Sequence, residues 1–175
     1  MASIIKANEL QDFGGNSIIT SDGAGNVTPN ASGIKNTPAF ALRKSSDQSI
    51  STGANTLITW DVAQIDTDSG FDNSADSYTI PSGQGGVYSC NLAVGWSSSS
   101  RIILSIEKNG SAVVGSDGED GNNLAFQSFS CILDLNAGDV LKTYYYMVSS
   151  GGPIRFQNNS GQYLTRFEGY KLIGA

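Results

Sequence analysis

The sequence contains no histidine, only two cysteines and four prolines, and charged residues make up just 15% of its 175 positions. Each shortage closes off a chemistry. Without histidine, a serine or cysteine nucleophile lacks its usual acid–base partner. Two cysteines alone do not supply the four ligands of a structural zinc site. Lys and Arg number 10 against 16 Asp and Glu, for a net charge of −6, which argues against a phosphate-binding surface and so against nucleic acid as a partner. No run approaches the roughly 20 apolar residues that carry a helix across a bilayer, so membrane insertion is not expected. The opening Met1-Ala2-Ser3-Ile4-Ile5-Lys6-Ala7-Asn8-Glu9 has no signal-peptide apolar stretch, and the expected place of synthesis is a cytoplasm. There, Cys90 and Cys131, each inside an apolar strand-like segment, are expected to be small buried free thiols.

What is abundant is Gly, Ser, Asn and Thr, the composition of short strands joined by polar turns. Residues 1–36 are dominated by turn chemistry, as in Asp12-Phe13-Gly14-Gly15-Asn16 and Ser21-Asp22-Gly23-Ala24-Gly25-Asn26. Ile18-Ile19-Thr20 and Asn26-Val27-Thr28 flank the second of these turns as a small hairpin. A lone hairpin is marginal in water, so this segment reads as an anchoring arm that docks on a partner, through Ile4, Ile5, Leu10, Phe13, Ile18 and Ile19. From residue 37 to 175 the pattern becomes strand-length runs between turn clusters, at 39–43, 56–60, 77–80, 86–96, 101–108, 124–135, 139–148 and 163–173. These suffice for two facing antiparallel sheets. Alternation is clearest where Tyr88, Cys90, Leu92 and Val94 share one face and Ser89 and Asn91 the other.

Within this region Trp60, Asp66, Phe71, Tyr78, Gly86 and Tyr88 form the series Trp-x5-Asp-x4-Phe-x6-Tyr-x7-Gly-x-Tyr. The series resembles the signature of the complement globular-head family, whose jelly roll is shared with tumour necrosis factor. Trp60 and Tyr78 replace aromatics of the family pattern, Cys90 stands where an aromatic is usual, and the loop before Gly86 is longer. Pro38-Ala39-Phe40, Ile106-Glu107-Lys108-Asn109-Gly110, Leu135-Asn136-Ala137-Gly138-Asp139 and Phe167-Glu168-Gly169-Tyr170-Lys171-Leu172 extend the resemblance over residues 38–173. It implies an all-β, two-sheet antiparallel jelly-roll sandwich of the tumour-necrosis-factor-like kind, preceded here by a short extended N-terminal arm. It also implies a homotrimer with late-strand aromatics at the subunit contacts, for which Tyr144, Tyr146, Phe167 and Tyr170 are the candidates. The alternative for these four is to fill the monomer core.

No collagen-like repeat precedes the head, and the arm resembles the N-terminal segments of tailed-phage virion proteins. The expectation is a non-enzymatic trimeric virion surface protein, for capsid decoration or cement or as a head fibre, made in the host cytoplasm. Its partners would be the major capsid protein or a tail component, with a host-surface glycan or protein as a further partner. A tail-fibre or receptor-binding protein with specificity in loops 67–76 and 115–123, or a bacterial cell-surface module, is the alternative. No cofactor or metal is expected, although Asp117-Gly118-Glu119-Asp120-Gly121-Asn122 clusters oxygens suited to Ca²⁺; solvated acidic turns are the ordinary reading. Trp96, beside a serine run, is a candidate aromatic platform for a sugar.

Overall fold

A computed structural model describes residues 7–30, 37–97, 100–119, 125–149, 152–157 and 161–172. Three short strands, β1 (Glu9–Gln11), β2 (Ser17–Ser21) and β3 (Val27–Pro29), pair in that order as a separate antiparallel sheet. The turns between them are built by aspartates. Asp12 accepts the Asn16 backbone N–H at 2.9 Å, and Asp22 accepts those of Ala24 and Asn26 at 2.7 and 3.1 Å. The Asn16 and Asn26 side chains, as the foremost partners, hold both carboxyls below the usual aspartate range. The expected β2–β3 hairpin is present, with Ser21 opposite Val27, and β1 joins it as a third strand.

The remaining strands form two sheets. One runs in the order β5 (Gln48–Ile50), β15 (Gly152–Arg155), β10 (Gly86–Trp96), β16 (Arg166–Lys171), β4 (Ala39–Arg43), β7 (Val62–Asp66), with β13 (Ala125–Leu135) on the other side of β10. The second runs β12 (Ser111–Glu119), β11 (Arg101–Lys108), β14 (Val140–Met147), β9 (Ser77–Thr79), β8 (Phe71–Asp72), with β6 (Asn55–Leu57) also on β14. Every pairing among the described strands is antiparallel, and the first of these strands in the head lies beside the last, Phe40 opposite Gly169. These long-range pairings make a jelly-roll sandwich rather than a meander.

The core lies between the sheets and follows the two-residue period of the strands. In β14, Leu141, Thr143, Tyr145 and Met147 are buried and the residues between them are not. Phe40 stacks on Tyr78 at 4.0 Å and meets Phe167 edge-on at 5.0 Å. This packing requires a glycine at position 169, where a Cβ would sit 2.6 Å from the Phe40 ring. Trp60 is buried, and its indole N–H donates to the Thr143 hydroxyl at 3.0 Å, so its polar atom is satisfied where burial would otherwise penalise it. Gly86 sits at φ 146°, backbone that L side chains rarely adopt. The spaced series of the sequence thus consists mainly of core aromatics plus this strand-entry glycine.

The structure trims and adds strands. The run 56–60 is a strand only as far as Leu57, because Ile58 turns its N–H to Thr143 and Trp60 turns its N–H to the Asp76 carboxylate. The 163–173 run is a strand over Arg166–Lys171. Five short or polar strands, β5, β7, β8, β12 and β15, were not expected from the sequence; they are stabilised by pairing with neighbours more than by their own composition.

Asp139 illustrates how a turn is locked. Its carboxylate accepts the Asn136 N–H at 2.8 Å and the Asn109 amide at 2.7 Å, with the Lys108 ammonium at 3.7 Å, so it ties the β11–β12 turn to the β13–β14 turn. The Asn136 N–H, foremost, and then the Asn109 amide hold this carboxyl below the ordinary aspartate range. The unfolded chain therefore takes up a proton at higher pH than the folded one. The stabilisation is present above about pH 4 and is lost as pH falls through the folded value. Asp139→Asn is expected to lower stability at pH 7 by about 1–2 kcal/mol and to flatten the acid limb of the unfolding midpoint measured against pH.

Candidate interaction face

The strands β7, β4, β16, β10 and β13 turn one side to the core and the other outward. Along β16 the parity is explicit: Phe167, Gly169 and Lys171 are buried, while Arg166, Glu168 and Tyr170 face out. Registers align the outward residues in rows. Ile132, Ser89, Tyr170 and Ala39 lie across neighbouring strands, as do Ser130, Asn91, Glu168, Ala41 and Ile65. Small residues lie on β4 and β10 and large apolar ones on the outer strands, with Ile132 61% and Ile65 48% exposed, while Tyr170, 45% exposed, stands on the central strand β16. The result is a depression of about 470 Å³, lined by Ala39, Ala41, Ile65, Ser89 and Tyr170 among others. Beside it Glu168 accepts from Arg43 and pairs with Arg166 at 3.4 Å. The Arg166 guanidinium in turn lies over the exposed Phe126 ring at 5.8 Å. The Glu168 carboxylate is thus paired within the chain, next to the apolar side chains of Ala39, Ala41, Ile65 and Tyr170.

The four aromatic candidates do not share one surface. Phe167 is 1% exposed and belongs to the core, because it stands an odd number of residues from Tyr170 on the same strand and so points the opposite way. Tyr144 and Tyr146 face outward from β14, on the far side of the sandwich, where burial and the Glu107 carboxylate raise the Tyr144 phenol. Only Tyr170 lies beside the depression. Trp96 is buried in the core and offers no platform to a sugar. In the arm, Leu10 and Phe13 are exposed and Ile18 and Ile19 half-buried; Ile4 and Ile5 lie outside the described residues. Leu10, Ile19 and Pro29 are register neighbours on one side of the small sheet.

The acidic segments are occupied by structure. Asp117 lies within β12, paired with Arg101 through Nε at 2.8 Å. Of the 115–123 loop expected from the sequence, residues 115–119 belong to β12 and 120–123 lie outside the described residues. Asp66 accepts the Gly70 and Phe71 N–H groups at 3.0 and 3.1 Å, and Asp72 those of Ser74 and Ala75 at 2.8 and 3.2 Å. Among the described residues no three His, Cys, Asp or Glu side chains converge as a metal site. Residues Ile65, Phe126 and Ile132 were missed in the sequence, although the Phe126, Ser128, Ser130, Ile132 alternation carried the signal for two of them.

No family model and no curated protein sequence matches the chain. Solved structures do. The globular domain of zebrafish complement 1qA superposes with a TM-score of 0.53 at 16% identity, over 77% of this chain and 97% of that one. The Eiger tumour necrosis factor of S. frugiperda gives 0.58 at 14% identity over 78% and 93%, and murine APRIL 0.58 at 12% over 77% and 98%. The head has a tumour-necrosis-factor-like jelly-roll fold. In this jelly roll the outward face of β7, β4, β16, β10 and β13 is a broad side of the sandwich.

Proposed function

We propose that the protein is a non-enzymatic homotrimeric surface component of a tailed-phage virion, decorating or cementing the capsid or forming a head fibre. Its jelly-roll heads associate through the β7–β4–β16–β10–β13 face, and its N-terminal sheet anchors the trimer to the particle. The observation that carries this reading is the outward face itself: exposed Ile65 and Tyr170 line a depression, and exposed Ile132 and Phe126 stand on the same face, on a sheet whose other side already fills the core. An apolar surface of this kind is suited to burial against another protein. The resemblance to trimeric jelly rolls supports a second and third copy of the chain as the occupants. The arm supports anchoring on separate grounds, since a single-layer sheet that exposes Leu10, Phe13 and Val27 buries little of its own apolar surface.

Light scattering of the full chain is expected to give three times the 18.3 kDa chain mass. A protein shortened to begin at Thr37 is expected to keep that threefold mass and to lose binding to purified phage particles. A monomeric full chain would overturn the trimer. Undiminished particle binding by the shortened protein would overturn the anchor.

A further inference from the structure

We infer that Cys90 and Cys131 are the two halves of a redox clasp, which closes as a cross-strand disulfide between β10 and β13 when the protein meets a small-molecule disulfide oxidant. The two cysteines are free and stand directly opposite each other in the antiparallel register, between the pairs Tyr88–Leu133 and Leu92–Phe129. Residues directly opposed in antiparallel strands have Cα atoms about 4.5 or about 5.5 Å apart, depending on the pair type. Both separations fall inside the roughly 4.4–6.8 Å that a disulfide spans. Opposed residues also project from the same side of the sheet, and the hydrogen bond between the two side chains brings the thiols together on the inner side.

Accessibility divides the labour between them. Cys90 is 1% exposed, on the most fully paired strand of the sheet. Cys131 is half-buried on β13, which pairs with β10 alone among the described strands. A reagent therefore reaches Cys131 first. The electrostatics agree in direction: the hydrogen bond with Cys90 holds the Cys131 thiol below its ordinary value, while the same bond, followed by burial, pushes Cys90 up. Cys131 is the attacking thiolate and Cys90 the resolving thiol.

The chemistry closes without other cofactors. The Cys131 sulfur attacks one sulfur of a small disulfide such as oxidised glutathione, forming a mixed disulfide and releasing one thiolate, which takes up a proton. Cys90 then loses its proton, attacks the Cys131 sulfur and expels the second thiol. Two electrons and two protons pass from the protein to the reagent, which leaves as two thiols. The product ties the edge strand that carries Phe126 and Ile132 to the strand at the middle of the sheet, so the clasp rigidifies the face described above without depending on its proposed role.

The test incubates the full-length reduced protein with oxidised glutathione, quenches with an alkylating agent under denaturing conditions, and reads the intact mass. The expected product has lost two hydrogen atoms, carries no alkyl group, and melts roughly 5 °C or more above the reduced form. Cys90→Ser is expected to stop at the adduct of one glutathionyl group on Cys131. Cys131→Ser is expected to keep Cys90 as a free thiol over the same interval. Two alkylated thiols in the treated protein, or disulfides that join separate chains, would overturn the clasp. Equal reactivity of Cys90 in the Cys131→Ser protein would overturn the assigned order.

Discussion

Replacing Phe167 by alanine is expected to destabilise the protein by roughly 3–5 kcal/mol, the usual cost of removing a fully buried aromatic ring. The ring lies on β16, between β10 and β4 in the sheet. It contacts Phe40 edge-on at 5.0 Å and lies tilted against Trp60 at 6.3 Å. Collapse around the vacancy is restricted on both sides, because Phe40 is already stacked on Tyr78 and Trp60 is fixed by its bond to Thr143. A loss of this size is a large share of the roughly 5–15 kcal/mol that holds a domain folded. Urea unfolding should show a much lower midpoint with little change in slope. A shift worth less than about 1 kcal/mol, a typical surface effect, would contradict the placement of Phe167 in the core.

The second large effect concerns association. Tyr170→Asp puts a carboxylate in the uncharged row of Ile132, Ser89 and Ala39, close to Glu168 on the same strand face. If that face is buried between copies, the charge is desolvated without a partner, and association is expected to weaken by at least about 100-fold, roughly 3 kcal/mol. The fold itself should persist, since Tyr170 is already 45% exposed in the single chain. Tyr146→Asp, on the outer side of the opposite sheet, is the matched control and is expected to leave the mass in solution unchanged. Dilution series read by light scattering separate the two. A monomer from Tyr146→Asp with an intact oligomer from Tyr170→Asp would move the interface to the other side of the sandwich.

The pairing of these two tyrosines shows where the sequence was and was not legible. Alternation in the 86–96 and 139–148 runs was enough to set inside from outside, because a strand places successive side chains on opposite faces whatever it pairs with. Turn positions were equally local: Asp12, Asp22 and Gly86 act through their own neighbours or their own backbone. Grouping Phe167 with Tyr170 overlooked that parity, which the sequence already contained. Grouping Tyr144 with Tyr170 was a different matter, since no local pattern says which of two sheets a strand joins.

The sequence by itself therefore determined an all-β chain with turn-built reversals, an aromatic core and alternating faces, for these depend on interactions within a few residues. Only the tertiary structure decided that β4 lies beside β16, that Ile65 and Tyr170 line one depression, and that Cys90 faces Cys131. Each of these is a register between segments distant in the chain. Such a register is set by how two whole sheets pack their apolar sides together.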